Sequence, residues 1–65
     1  MSLGKNIRNL REERDMKQKE LAEKVGVTQA MICWVERETK NPSLQLGVEI
    51  AKALGCTVDE LLKEG

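Results

Sequence analysis

The side chains best suited to recognising another molecule lie in one uncharged stretch. Residues 25–34 carry no charge, although 34% of the chain is charged. Within this stretch the amide of Gln29 can donate and accept hydrogen bonds together, which matches the N6 and N7 atoms of adenine in the major groove. A face without carboxylates also avoids repulsion by phosphates. The pattern indicates a surface that lies along base edges, and its outward residues are Thr28, Gln29, Ala30, Cys33 and Trp34.

Three residues outside that stretch are candidates for contacts to phosphate. Gln18 falls in the first turn of a predicted helix, where exposed backbone N–H groups favour an anion. An ordinary polar surface residue is the alternative for Gln18. Lys40 and Asn41 fall in a predicted loop downstream, where they would touch phosphate. For Lys40, a solvent-exposed loop side chain is an almost equally good interpretation.

Trp34 supports three interpretations. Its indole would contact a thymine methyl group or a sugar, fold against the loop as a lid on the core, or mark a protein contact. The neighbouring Cys33 is interpreted as a small apolar side chain, since a redox-active thiol needs a cationic neighbour and no lysine or histidine adjoins it.

The composition disfavours catalysis. The chain has no histidine, which removes the commonest general base and metal ligand. Its two cysteines, Cys33 and Cys56, form no CxxC or Cys/His cluster, so we expect no zinc site. A chain of 65 residues also offers little wall material for a deep pocket. We therefore expect no enzyme, no metal, no cofactor and no small-molecule ligand.

Length and composition predict one domain over residues 1–65. No apolar run approaches the roughly 18 residues that span a membrane, and the N-terminus lacks the apolar region of a signal peptide. We therefore expect a cytoplasmic protein, and we interpret Met1–Leu3 in part as an expression remnant. The net charge is zero, but residues 1–42 hold 9 basic and 7 acidic side chains and residues 43–65 hold 2 and 4. This imbalance predicts one mildly basic side.

Five short helices must position these side chains, because apolar residues recur at helical spacing and no alternating pattern indicates a strand. We expect the first helix over about residues 4–14 and the second from Lys17–Gln18. Other boundaries carry local signals, either side-chain oxygens that cap a helix start or glycines that accept a left-handed helix end. These signals are the N-caps Thr28 and Ser43, the capping box of Thr57 with Glu60, and the glycines Gly26 and Gly55.

Residues 17–37 predict a helix-turn-helix, with a turn at residues 25–27 and a second helix available to enter a major groove. At these spacings the chain resembles the phage repressor and Cro-type, or XRE-like, helix-turn-helix domains. The resemblance covers residues 5–63 approximately. The matching residues are Gln18-Lys19-Glu20-Leu21-Ala22, Val25-Gly26-Val27-Thr28, Ile32, Glu36, Asn41-Pro42-Ser43, Ile50-Ala51, Leu54-Gly55 and Glu60-Leu61-Leu62.

The resemblance implies an all-α, lambda-repressor-like five-helix bundle that binds double-stranded DNA sequence-specifically. A transcriptional regulator is the expected role, more often a repressor than an activator. The alternative is a protein-interaction module, such as an antitoxin-like or adaptor bundle, since fold alone does not fix function. The resemblance further implies that Gln18 contacts phosphate or the neighbouring glutamine. It also implies a partly buried ion pair between Arg11 and Glu36.

The sequence departs from the family pattern at three positions. Lys17 stands where a Ser or Thr usually caps the second helix, so we expect a cap weaker by about 1 kcal/mol unless Asp15 substitutes for it. Glu38 stands where glycine is usual, which predicts either a strained left-handed residue or a longer third helix. Trp34 stands where a polar or basic residue is usual.

A homodimer on a near-palindromic site would supply the contact area that one small module lacks. Leu44 and Val48 fall off the predicted buried stripe of the fourth helix. The fifth helix has more apolar residues than one short face can bury. The predicted dimer interface is therefore Leu44, Val48, Val58, Leu61 and Leu62. The alternative is that these side chains close the core of the monomer.

Overall fold

Helices make up most of the chain. The computed structural model describes residues 3–63, so Met1 and Ser2 of the predicted expression remnant lie outside the described residues. The helices are α1 (Leu3–Glu13), α2 (Gln18–Val25), α3 (Gln29–Glu36), α4 (Leu44–Leu54) and α5 (Val58–Leu62). No strand occurs within residues 3–63. The predicted all-α class and the order of five helices are confirmed.

The helix starts follow the capping signals. The hydroxyls of Thr28 and Ser43 each accept a hydrogen bond of 3.1 Å from the backbone N–H three residues further on. Thr57 and Glu60 form both halves of the predicted capping box, over 3.1 and 3.0 Å. Because these bonds satisfy backbone donors that a helix leaves unpaired at its start, local sequence fixes where α3, α4 and α5 begin.

The start of α2 is capped from one side only. Lys17 occupies the N-cap position, and its ammonium has no acceptor to offer the helix. Glu20 forms the second of the two hydrogen bonds of a capping box, since its Oε1 accepts from the Lys17 backbone N–H over 3.0 Å. Asp15 does not replace the missing cap, because it lies after α1 with a left-handed φ of 52°.

Of the two outcomes predicted at Glu38, the structure shows the left-handed residue and not the longer third helix. The φ of Glu38 is 64°, and α3 ends at Glu36. We expect Glu38→Gly to be more stable than Glu38→Ala by about 1 kcal/mol, because both remove the side chain and only glycine relieves the conformation. Urea unfolding of the two variants measures this difference. Equal unfolding midpoints would contradict it.

The core draws on all five helices. Its buried residues are Ile7, Leu21, Ala22, Ile32, Val35, Ile50, Ala51, Leu54 and Leu61. They lock α2 and α3 against the other helices, so the outward side of α3 is held at a fixed angle. Leu46 and Gly47, which the helical spacing assigns to the buried stripe of α4, are only half-buried.

Leu61 requires a correction to the predicted dimer interface. Its side chain is 1% exposed and belongs to the core of the monomer. The short α5 turns Leu61 inward and leaves Leu62 outside, so Leu61 has no surface to offer a partner. Asn6 adds to the attachment of α5, because its Nδ2 donates to the carbonyls of Leu61 and Lys63 over 2.8 and 2.6 Å.

Candidate nucleic-acid interface

The turn between α2 and α3 sets the direction of the candidate interface. Gly26 ends α2 with a φ of 75°, a conformation that glycine adopts without steric cost. The backbone N–H of Val27 then donates to the carbonyl of Ala22 over 3.0 Å. Thr28 starts α3 directly afterwards, and the two helices meet in the order that defines a helix-turn-helix.

The outward side of α3 presents the side chains that the sequence singled out. Thr28, Gln29 and Ala30 are exposed, Cys33 is half-buried, and Trp34 is 41% exposed. The structure thus brings all five to one helix and its N-cap. The inward residues, Ile32 and Val35, are buried, which explains why the remaining face is available to a partner.

A buried cluster behind this face ties three helices together. Arg11 of α1 donates from Nε to Glu36 Oε2 over 2.7 Å and from Nη2 to Oε1 over 3.1 Å. Arg11 also donates from Nη1 to the carbonyl of Met16 over 2.8 Å. The two charged side chains are 10% and 4% exposed. The hydrogen bond with Glu36 raises the pKa of Arg11.

Gln18 belongs to the same cluster. Its Nε2 donates to Glu36 Oε1 over 3.0 Å, and the residue is half-buried. The family pattern suggested phosphate or a neighbouring glutamine as its partner, and the partner seen within the protein is Glu36. One amide hydrogen is therefore engaged, while the contact to phosphate stays a prediction.

A shallow groove adds positive charge beside α3. Its volume is about 260 Å³, and it is lined by Arg8, Arg11, Gln18, Cys33, Glu36 and Arg37. Sequence reasoning missed Arg8 and Arg37. The available signal was their spacing, because Arg8 lies one turn before Arg11 on α1 and Arg37 lies one turn after Cys33. Arg11 pairs with Glu36, and Arg8 pairs with Glu12 on α1 over 3.3 Å. The positive charge that the groove keeps in excess is therefore that of Arg37.

The loop after α3 folds back onto that helix. The Lys40 Nζ lies 4.6 Å from the centroid of the Trp34 ring, within the range of a cation–π contact. This contact fits the interpretation in which Trp34 packs against the loop, although its exposure shows that the indole does not form a closed lid. The next residue, Asn41, is exposed.

Two of the residues predicted for dimer contact are open to solvent. Leu44 is 80% exposed and Leu62 is 45% exposed. Val48 and Val58 are half-buried, and Leu61 is in the core as described above. Leu44 and Leu62 are thus the exposed members of the predicted interface, and their contact with a second copy stays a prediction.

The remaining chemistry is sparse. Within residues 3–63, no group of three or more His, Cys, Asp or Glu side chains could hold a metal ion. Both Cys33 and Cys56 are free thiols, and burial raises the pKa of the Cys56 thiol. No helix in this part of the chain is long and apolar enough to cross a bilayer.

Comparison with known proteins identifies the family. A helix-turn-helix family model matches residues 7–61. The chain is 36% identical over 64 residues to the immunity repressor protein of Bacillus phage phi105, covering 98% of this chain and 44% of that repressor. It therefore spans less than half of that relative.

Solved structures agree with this result. The P22 c2 repressor in complex with a synthetic operator has a TM-score of 0.90 at 33% identity, covering 97% of this chain and 96% of that one. The biofilm regulator SinR in complex with DNA has a TM-score of 0.87 at 34% identity, covering 94% of this chain and 98% of that one. The fold class predicted from the sequence is lambda-repressor-like, and the chain belongs to the helix-turn-helix family of the phage repressors.

Proposed function

We propose that this domain binds double-stranded DNA sequence-specifically and regulates transcription, with repression favoured over activation. The observation that carries the proposal is the exposed, uncharged outer face of α3 beside a groove lined by Arg8 and Arg37. The similarity to the P22 c2 repressor with its operator and to SinR with DNA supports it. The role is recognition without catalysis, cofactor or metal, exercised in the cytoplasm.

The chemistry of recognition follows from the side chains on this face. Gln29 can pair with the N6 and N7 atoms of adenine through both ends of its amide. Ala30 and Cys33 present small apolar groups that suit the methyl group of thymine. Arginines at the edge of the face would bind phosphates, which fixes the position of α3 in the groove without reading sequence.

Replacing Gln29 tests base readout directly. We expect Gln29→Ala to weaken binding to the specific site by about 1–3 kcal/mol and to relax the preference at one base position. Binding to a random-sequence duplex should barely change, because Gln29 makes no charge contact. Fluorescence anisotropy with both duplexes measures the two affinities.

Asn9→Ala is the matched control, since Asn9 is an exposed amide on α1 rather than on α3. It should leave both affinities near those of the unmodified domain. If Gln29→Ala lowers specific and non-specific affinity equally, Gln29 does not read bases. If the unmodified domain binds neither duplex at low salt, the proposed DNA binding is wrong.

The bound form is proposed to be a homodimer on a near-palindromic site. One α3 reads only a few base pairs, while a two-fold dimer places two copies in successive major grooves about 34 Å apart. Leu44 and Leu62 are the exposed apolar residues that such a contact would cover, with the half-buried Val48 and Val58 beside them.

Replacing the two exposed leucines by charged residues tests the homodimer. We expect Leu44→Asp with Leu62→Asp to weaken self-association and specific binding together, while the fold persists because both side chains are already exposed. Sedimentation at rising protein concentration, with and without the specific duplex, measures the assembly. A monomer that binds a single half-site with undiminished affinity would refute the dimer.

A further inference from the structure

We propose that Trp34 is a positioning residue for Lys40: its indole holds the ammonium at the C-terminal end of α3, where the ammonium contacts one DNA phosphate. The inference rests on the proposed DNA binding. In this proposal the indole of Trp34 acts on DNA binding through Lys40 and does not itself contact a base.

The contact between the two side chains is reinforced by the backbone of the loop. The carbonyl of Trp34 accepts two hydrogen bonds from Thr39, one from its backbone N–H over 3.0 Å and one from its Oγ1 over 3.1 Å. These bonds fold the chain back onto the last turn of α3 just before Lys40. The ammonium then lies 4.6 Å from the ring centroid, which is close enough for the aromatic face to attract it.

The position of the pair relates it to the recognition face. Ala30 lies one turn before Trp34 on the same side of α3, and both side chains are exposed. The stacked ammonium therefore sits at the far end of the face that starts at Thr28. A lysine in an exposed loop normally samples many rotamers, and the indole limits that freedom before DNA arrives.

The charge distribution along α3 indicates why a fixed ammonium at its C-terminal end favours phosphate binding. The last turn of α3 contains no basic residue, and Arg37 follows it directly as the C-cap. The C-terminus of a helix carries partial negative charge that disfavours phosphate. A positive charge fixed beside Trp34 adds to that of Arg37 in offsetting this field. Binding then begins with the ammonium already in place, so less side-chain freedom is lost on contact.

The test is the salt dependence of affinity for a random-sequence duplex. Each phosphate neutralised by a cation contributes about 0.9 to the slope of log affinity against log salt. We expect Lys40→Gln to lower the slope by about 0.9, so that a fourfold rise in salt costs it about 3.5-fold less affinity than it costs the unmodified domain. Trp34→Leu should lower the slope similarly, and Trp34→Phe should retain most of it, because phenylalanine keeps an aromatic face.

Two comparisons make the outcome decisive. Trp34→Leu with Lys40→Gln should lower the slope no further than either change alone, since both remove the same contact. Lys24→Gln removes an exposed lysine from the last turn of α2 and should leave the slope unchanged. Thermal unfolding of each variant confirms that it is folded.

A measurement without DNA checks the stack itself. Trp34 is the only tryptophan in the sequence, so its emission reports on the ring alone. We expect Lys40→Gln, but not Lys24→Gln, to change that emission in the free domain. An unchanged emission would overturn the stack.

Other results distinguish the inference from the function on which it rests. If the unmodified domain binds the duplex and Trp34→Leu keeps the full salt slope, the positioning role is wrong although DNA binding stands. Additive losses of slope in the double variant would contradict a contact shared by Trp34 and Lys40. A Trp34→Leu variant that loses affinity at full slope would instead assign the uncharged indole its own contact with DNA. If the unmodified domain binds no duplex, the proposed function fails and the inference fails with it.

Discussion

Arg11→Met is expected to destabilise the domain by about 3–5 kcal/mol. The carboxylate of Glu36 is 4% exposed and would lose both hydrogen bonds from the guanidinium. Among the side chains of residues 3–63, only the amide of Gln18 would still donate to it. A buried charge left without a counter-ion costs far more than the pair contributes when intact. Denaturant unfolding of the variant measures the loss.

The companion variant separates pairing from packing. Arg11→Met with Glu36→Leu should recover much of the lost stability, because an apolar pair of similar volume leaves no charge unpaired. The free energies of unfolding for the unmodified domain, the two single variants and the double variant form a complete cycle. Purely additive losses would show that the two side chains do not interact energetically.

Gly4→Ala is expected to destabilise the domain by about 1–3 kcal/mol, through overpacking where α1 approaches α3. A Cβ at this position would lie 2.5 Å from the carbonyl oxygens of Val35 and Glu36 and 2.8 Å from Cγ of Glu38. Two of these contacts are with backbone, which cannot rotate away as a side chain can. The start of α1 would therefore have to move away from α3, and thermal unfolding would report the loss.

Gly47→Ala is the matched control, and its expected change in stability has the opposite sign to that of Gly4→Ala. Gly47 lies inside α4, and a Cβ there would meet no atom within 4 Å. Alanine in a helix interior is favoured over glycine by about 0.5–1 kcal/mol, so this variant should be more stable than the unmodified domain. If both glycine variants raise stability, the close approach of α1 to α3 is not a constraint on the fold.

Features set by neighbours in sequence were predicted well. The caps at Thr28 and Ser43 and the box at Thr57 depend on groups within three residues, so their chemistry can be read locally. The left-handed Glu38 was also signalled in advance, because the family pattern has glycine there. Its conformation was one of two predicted outcomes, and the structure selects it.

Features set by distant contacts were not fully predictable. Periodicity in the five-residue α5 did not determine which of Leu61 and Leu62 faces the core, and only Leu61 packs against α1 and α4. Gln18 was predicted to contact phosphate or the neighbouring glutamine, and the sequence did not indicate that its amide also bonds to Glu36, 18 positions along the chain. The stack of Lys40 on Trp34 likewise depends on how the loop folds back.

One part of the candidate interface could be predicted from the sequence and the other part could not. The uncharged stretch that supplies Gln29 and Ala30 is visible in the sequence, because it requires only residue types and helical spacing. The groove that Arg8 and Arg37 line is not, because it combines the surfaces of α1, α2 and the end of α3. Charge counted along the sequence could not show that these arginines lie beside the recognition face.

Selection of bound sites from a pool of random duplexes measures whether the domain recognises a DNA sequence. If the domain binds as a dimer and the outer face of each α3 contacts bases, the enriched sequences will share a near-palindromic site. Its half-sites will lie about one helical turn apart. Selection with Gln29→Ala should then lose the preference at one position in each half-site. A pool that shows no enrichment over its starting composition, at salt concentrations where the unmodified domain binds, would contradict sequence-specific recognition.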